Sequence, residues 1–342
     1  MVNTFMKAIA FSRNLPITDP ASLEDVTLPA PVATGRDLLV RVHAIGVNPV
    51  DTKVRRGGAV TDGRRVLGWD AAGVVEAVGP EVTLFQPGDA VYYAGSLVRP
   101  GANSELHLVD ERIVGRKPRR LSDVEAAAIP LTAITAWEAL FDRLEIDRTG
   151  QRHAGKSLLI IGGAGGVGSL AIQLAKRAGL RVIATASRPE SAQWVRDLGA
   201  TDVVNHAEPL PPQLAALGLP TVDYIANFAD TDRYWNVMAE LIRPQGRIVS
   251  IVENSDPLDL NVLKAKSVAF FWELMFTRSM FGTDDMIEQH HLLNVVADLI
   301  DAGELRATLQ THLTPINAAN LREAHAQLES GRTIGKIALS GW

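Results

Sequence analysis

Short runs of alternating or continuous apolar residues dominate the first third of the chain. Lys7-Ala8-Ile9-Ala10-Phe11, Leu38-Leu39-Val40-Arg41-Val42-His43-Ala44, Val74-Val75-Glu76-Ala77-Val78 and Asp89-Ala90-Val91-Tyr92-Tyr93 carry the β-formers and spacing expected of strands. Gly57-Gly58, Gly79-Pro80, Pro87-Gly88 and Pro100-Gly101 separate them, and such pairs favour turns. Evenly spaced short strands predict a compact, barrel-like β domain. The pattern lengthens near Leu121. Ser122-Asp123-Val124-Glu125 places an N-cap hydroxyl three residues before a carboxylate, a helix start. Helical spacing then runs to Leu140, with a break expected at Pro130.

From Ser157 onward strands and helices alternate. Apolar runs at 158–161, 181–185, 203–204, 222–226 and 247–251 are interleaved with helical stretches at 169–178, 189–198 and 234–242. Buried strands alternating with helices predict a doubly wound parallel sheet. An amphipathic helix is expected from Asp284 to Asp301, with Ile287, Leu292, Val295, Val296 and Leu299 on one side. The tail Ile334-Gly335-Lys336-Ile337-Ala338-Leu339 is strand-like again and is expected to return to the first domain. The predicted class is therefore α/β, a β-barrel domain plus a doubly wound parallel-sheet domain.

The strongest chemical signal lies in the second domain. Gly163-Ala164-Gly165-Gly166-Val167-Gly168 follows an apolar strand and opens a helix rich in Ala and Leu. That context makes a glycine motif a dinucleotide fingerprint: the glycines allow a tight turn and close approach of a pyrophosphate, whose charge meets the helix N-terminus. At the end of the next strand, where NAD-binding folds place an acid on the ribose hydroxyls, the chain reads Thr185-Ala186-Ser187-Arg188. Ser187 and the planar fork of Arg188 suit a 2′-phosphate, so NADPH is the expected cofactor.

Composition narrows the classes. The 342 residues suffice for two domains, and the formal charge of −5 gives no reason to expect nucleic acid or an anionic membrane as partner. No secretory leader is evident in Met1–Ala10. No apolar run approaches the roughly 18–20 residues of a spanning helix; the one at Val268–Met275 is short and interrupted by Glu273. A cytoplasmic protein is the expectation. There is no cysteine, which removes disulfides, thiolate nucleophiles and thiolate zinc ligands together.

Ordered motifs across nearly the whole chain carry a family resemblance. Gly46-Val47-Asn48-Pro49-Val50-Asp51 is similar to the GxNPxD segment of quinone oxidoreductases in the medium-chain dehydrogenase/reductase superfamily. Leu67-Gly68-Trp69-Asp70-Ala71-Ala72-Gly73 through Gly79 resembles that superfamily's glycine-rich signature. Phe85–Val91, Thr135-Ala136-Trp137-Glu138-Ala139-Leu140 and Gly165–Gly168 match in order and spacing. Ser187-Arg188-Pro189-Glu190 and Thr283-Asp284-Asp285-Met286 resemble the subgroup labelled "zinc-type alcohol dehydrogenase-like". The resemblance implies a GroES-like catalytic domain from residues 1–129 and 305–342, and a Rossmann domain at 130–304. It further implies a cofactor cleft at their junction and a homodimer paired through the Rossmann sheet edge near Val268–Phe271.

Zinc-dependent relatives carry Cys where this chain has Asn48, and a His-Glu pair where it has Trp69-Asp70. Trp cannot ligate a metal, so no metal site is expected. The adjacent His290-His291 does not substitute, because neighbouring helical side chains diverge by about 100°. Without a Lewis acid the acceptor must be intrinsically electrophilic, which suits a quinone or an α,β-unsaturated carbonyl. Asn48 is expected to position the nicotinamide ribose or the substrate oxygen. Lys53, where relatives often have Tyr, is either an oxyanion or proton donor or an exposed side chain. Asp51 is either a supporting partner or a turn residue. By position, Thr135, Phe228, Val252 and Lys336 are expected near the cofactor, with Val167 in the loop. Trp272, Phe276 and Met280 form a stretch suited to a substrate wall, a subunit interface or core. The leading expectation is metal-free NADPH-dependent hydride transfer to a quinone-like acceptor. The alternatives are reduction of an enone or enal C=C bond and a non-catalytic NADPH-binding protein, with a zinc alcohol dehydrogenase disfavoured.

Overall fold

The structure, a computed structural model, describes residues 5–60 and 63–342. Two compact units form, one from the chain up to Ile134 together with Phe276–Trp342, the other from Thr135–Met275.

The first unit is built on an eleven-residue central strand, Asp37–Val47. Strands Asp70–Val78 and Lys336–Ser340 pair antiparallel to it on opposite sides. Ala90–Ala94 and Val114–Arg116 extend one flank and Leu309–Leu313 the other, while Leu106–Asp110 pairs with the first half of the central strand. The interior is dry: Leu38, Val40, Val42, Ala44, Ile45, Ala71, Ala72, Tyr92 and Leu339 are each at most 1% exposed. The register matters for function. Gly46 faces Asp70 and Val47 faces Ile337, so three strand ends meet at the residues flanking those pairs.

The second unit is a six-stranded, wholly parallel sheet. Its order runs Asp202–Val204, Arg181–Thr185, Ser157–Ile161, Val222–Asn227, Ile242–Ser250, Ala269–Trp272. In chain order that is 3-2-1-4-5-6, the doubly wound arrangement in which ligands sit beyond the strands' C-terminal ends at the reversal of order. Helices Gly166–Arg177, Pro189–Leu198 and Thr231–Leu241 flank it. Among the described residues no helix is long and apolar enough to cross a membrane.

The structure bears on three sequence expectations. The helical run is interrupted just before Pro130, as expected: one helix, Asp123–Ala127, ends there and a second, Pro130–Trp137, starts at the proline, since the first helical position needs no N–H. That helix continues as a π-helical turn over Glu138–Arg143. The units divide at 134/135 and 275/276, whereas the sequence suggested 129/130 and 304/305. The cause is helix Glu288–Asp301, which packs on the barrel: Tyr92 Oη donates to Leu293 O at 2.6 Å and Arg116 N to Asn294 Oδ1 at 3.0 Å. His290 joins Val114 O and Asn294 on this seam, while His291 faces Glu288. Finally, the stretch containing Trp272, Phe276 and Met280 is divided between the two units. Trp272 is exposed on the edge strand of the second unit, whereas Phe276 is buried in the first.

The glycine loop separates fold from function. A Cβ on Gly168 would lie 2.4 Å from Gly162 O and 2.6 Å from Gly163 O, whereas one on Gly165 meets nothing closer than 3.6 Å. Gly168→Ala should therefore destabilise the chain by about 1–3 kcal/mol, as overpacking against fixed backbone does. Gly165→Ala should be within about 0.5 kcal/mol of the parent, the range of unobstructed substitutions. Thermal or urea unfolding of the two variants checks the contrast.

Candidate active site and cofactor loop

The three strand ends of the first unit bring together Asn48, Asp70 and Lys336, which are 1%, 0% and 3% exposed. Lys336 Nζ donates to Val47 O at 3.0 Å, Asn48 Oδ1 at 2.5 Å and Asp70 Oδ2 at 3.0 Å. Asn48 Nδ2 donates to Asp70 Oδ2 at 2.8 Å, and Leu131 N donates to Asp70 Oδ1 at 2.7 Å. A buried ion pair is tolerable only when its remaining hydrogen-bonding capacity is met. Here all three ammonium hydrogens and both carboxylate oxygens are engaged. One capacity is left over: the second Nδ2–H of Asn48 has no acceptor among the described residues.

Asn48 is also the N-cap of helix Pro49–Gly57, with Pro49 at its first position. Asp51 reaches back, its Oδ2 accepting from Asn48 N at 2.7 Å. The helix is anchored by the buried Arg55 guanidinium, which bonds Leu15 O and Glu329. Asp51 is 1% exposed, and its Oδ1 has no partner. Burial pushes its carboxyl up to about 7, against the lowering pull of the Asn48 N–H and of Lys336. Because Oδ2 accepts a hydrogen bond, the proton of the neutral form belongs on Oδ1. Lys53, two residues further, is exposed; the ammonium that the fold places beside Asn48 is Lys336.

Trp69 precedes Asp70 and is wholly buried, with Nε1 donating to Ser96 O at 2.9 Å and its ring edge-on to Phe276. The donor set does not fit a catalytic metal. An indole offers no lone pair, an amide and one carboxylate remain, and the ammonium of Lys336 already lies against that carboxylate. No group of three or more His, Asp or Glu side chains among the described residues is placed to hold a metal ion.

In the second unit, helix Gly166–Arg177 starts directly at the loop, capped by Gly165 backbone without a side-chain hydrogen bond and with no acid in its first turn. Its first N–H groups are therefore left for an anion. Val167 lies in that first turn, and Gly163 packs against Ala184, where a Cβ would come within 2.9 Å. Ala186 N donates to Val204 O at 3.0 Å, so Ser187-Arg188 lies beside the end of the neighbouring strand. Ser187 is exposed; Arg188 is half-buried and pairs with Glu190 at 2.8 Å. Phe228 continues strand Val222–Asn227, its N–H donating to Ile161 O at 2.9 Å. Val252 is held by Thr231 Oγ1 on its carbonyl at 2.5 Å, and Thr135 is 4% exposed within its helix.

Sequence reasoning missed two features. Asp70 was read only as half of an absent metal pair, although a lone acid inside Gly68-Trp69-Asp70-Ala71-Ala72-Gly73 signals a buried charge in need of a cation. Glu273, beside Arg143 at 2.7 Å, is held far above the usual carboxylate range by burial and by the Glu138 carboxylate. Nothing in the local pattern brings 138 and 273 together.

Comparison with known proteins fits this geometry. Residues 34–118 match the alcohol dehydrogenase GroES-like domain and residues 166–297 the zinc-binding dehydrogenase family. A zinc-type alcohol dehydrogenase-like protein of Staphylococcus aureus is 45% identical, over 98% of this chain and all of that one. The chain belongs to the medium-chain dehydrogenase/reductase superfamily. Within this superfamily, the quinone oxidoreductase of Pseudomonas aeruginosa is 32% identical over 89% of this chain and 91% of that one. A Rhizobium etli protein of known structure, provisionally described as a zinc-dependent alcohol dehydrogenase, is 54% identical. It superposes with a TM-score of 0.95, covering 99% of this chain and 98% of that one. This member of the superfamily is thus an oxidoreductase with the GroES-like and Rossmann domains of its relatives, and with Asn48, Trp69 and Asp70 at the positions its sequence resemblance assigns to metal ligands.

The raised carboxyl of Asp51 has a definite sign. A group whose folded pKa lies above its unfolded value contributes stability at low pH and loses it as pH rises through the folded value. Asp51→Asn keeps an oxygen for the Asn48 N–H and cannot ionise. The variant should gain on the parent as pH rises from 3.8 to about 7 and run parallel above. Melting temperatures across that interval test it, and a constant difference would refute it.

Proposed function

We propose that this chain is a metal-independent, NADPH-dependent reductase that transfers hydride to a quinone-like acceptor. The observation carrying this reading is the Asn48–Asp70–Lys336 cluster, which sets an ammonium against the two residues that stand where zinc-dependent relatives carry metal ligands and leaves one amide N–H unengaged among the described residues. Kinship to a quinone oxidoreductase at 32% identity supports the acceptor class. The Gly163–Gly168 loop supports a dinucleotide, and Ser187-Arg188, with no acid in the ribose position, supports the 2′-phosphate.

Each residue then has a stated task. The backbone N–H groups at Gly165, Gly166, Val167 and Gly168 would hold the pyrophosphate, and Ser187 and Arg188 the 2′-phosphate. Thr135, Phe228 and Val252 would border the nicotinamide half. When bound, the nicotinamide supplies the hydride. Hydride arrival leaves negative charge on the acceptor oxygen, and the unengaged Nδ2–H of Asn48 is the donor that meets it. Reduction is completed by a proton, and Asp51 Oδ1 is a buried acid that holds one near neutral pH. An acceptor that is already electrophilic needs no Lewis acid, which is why quinones suit this donor set better than unactivated ketones.

Among the described residues, edge strand Ala269–Trp272 has no neighbour on its outer side. It is flanked by exposed Leu260, Trp272 and Leu274, which supports a homodimer pairing through this edge. Trp272→Asp should halve the mass found by light scattering. An unchanged mass would place the interface elsewhere or leave the protein monomeric.

Oxidation of NADPH and NADH with ortho- and para-quinones, enones and aldehydes, with and without chelator, tests the main reading. NADPH with quinones should be the best pair and chelator should have no effect. Arg188→Gln should raise KM for NADPH about tenfold, as loss of one charged hydrogen bond does, and leave that for NADH unchanged. Turnover of enones alone would move the assignment to C=C reduction, and chelator-sensitive alcohol oxidation would overturn it. Tight NADPH binding without any turnover would favour a binding protein.

A further inference from the structure

Lys336 was expected from sequence near the cofactor, and the structure shows which protein groups its ammonium holds. Its ammonium has three hydrogens and three protein acceptors, Val47 O, Asn48 Oδ1 and Asp70 Oδ2, all within 3.0 Å. With all three engaged, no hydrogen is left for a phosphate. Turning toward one would also strip a buried carboxylate of its cation.

We propose that Lys336 is a positioning residue for the reaction, acting through Asn48 by fixing the orientation of its carboxamide and polarising the remaining Nδ2–H as an oxyanion donor. The inference rests on the proposed role of Asn48. Orientation follows from charge: a flipped amide would set its NH2 group against the ammonium and its oxygen against the Asp70 carboxylate, so only one rotamer is compatible with both neighbours. Polarisation follows from amide resonance. A cation on Oδ1 draws the nitrogen lone pair toward the carbonyl and leaves the N–H hydrogens more positive, the cooperative strengthening seen in hydrogen-bonded chains. One hydrogen is bound by Asp70, which fixes the direction of the other. A side-chain ammonium thus acts at one remove on a neutral amide, where a metal would act directly on the substrate.

The test uses Asn48→Ala, Lys336→Met and the double variant, with Asp70→Asn/Lys336→Met as a version that buries no unpaired charge. Steady-state kinetics with NADPH and a quinone are combined with direct measurement of NADPH affinity. Lys336→Met should lower kcat about 30-fold, less than the roughly 100- to 1,000-fold found for outright loss of an oxyanion donor because the amide itself remains, with NADPH affinity unchanged within about twofold. The double Asn48→Ala/Lys336→Met variant should be no slower than Asn48→Ala alone. The charge-neutral pair Asp70→Asn/Lys336→Met should fold and show the same kcat loss. A tenfold weaker NADPH affinity with kcat preserved would put Lys336 on the cofactor and overturn the proposal, as would additive losses in the double variant.

A second readout does not depend on turnover. In the proton–nitrogen NMR spectrum the two Asn48 side-chain amide resonances, assigned by their loss in Asn48→Ala, should lie apart from those of solvent-exposed carboxamides. They should move toward the exposed range in Asp70→Asn/Lys336→Met. Unmoved resonances would refute the polarisation even if the enzyme reduces quinones. Moved resonances in a protein that reduces no acceptor would support it while the catalytic reading failed.

Discussion

A carboxylate sealed inside a protein is stable only if a cation is sealed in with it, and the barrel unit is organised around one such pair. Asp70 is wholly buried at the start of its strand, and Lys336 reaches it from the start of another. Removing either partner would leave an unpaired interior charge, a loss far larger than that of an ordinary hydrogen bond. The pair therefore constrains strand register. A one-residue slip of Lys336–Ser340 against Asp37–Val47 would turn the ammonium to the opposite face of the sheet. Asn48 benefits from this rigidity, because its amide is bracketed by both charges.

On the proposed reading, the two units prepare for negative charge in two ways. The Rossmann unit uses backbone: a strand, a turn of glycines and a helix whose first N–H groups are uncapped. The barrel unit uses side chains buried deeply enough for their electrostatics to be strong. Asp51 belongs to the second strategy. Its carboxyl is close to neutral pH because desolvation outweighs both the N–H of Asn48 and the charge of Lys336.

Legibility in the sequence followed the range of the interactions. The Rossmann half was readable because its signal is local: strand, glycine loop and helix adjoin, and the strand–helix alternation identified the sheet class. The return of the C-terminal segment to the barrel was readable from its strand pattern. Helix Glu288–Asp301 was correctly seen as amphipathic, but its apolar face does not say which domain it covers, so the boundary moved by nearly thirty residues. The acceptor side was least legible. Asn48 stood out by its motif, whereas the partnership of Asp70 with Lys336 depends on pairing between remote strands, and Lys53 drew attention because relatives often carry Tyr at its position.

That remoteness bears on how the molecule is made. The bond from Lys336 to Asp70 closes a loop of 266 residues, and the one to Asn48 a loop of 288. The entire Rossmann unit lies inside both. Closure entropy grows only as the logarithm of loop length for a flexible chain. An insert that has already folded presents two fixed ends in place of a long random coil, and the search shortens accordingly. Prior folding of the inserted unit would therefore aid completion of the barrel. The charge pair of the barrel, joined across the whole inserted unit, can form only in a polypeptide that has found its topology.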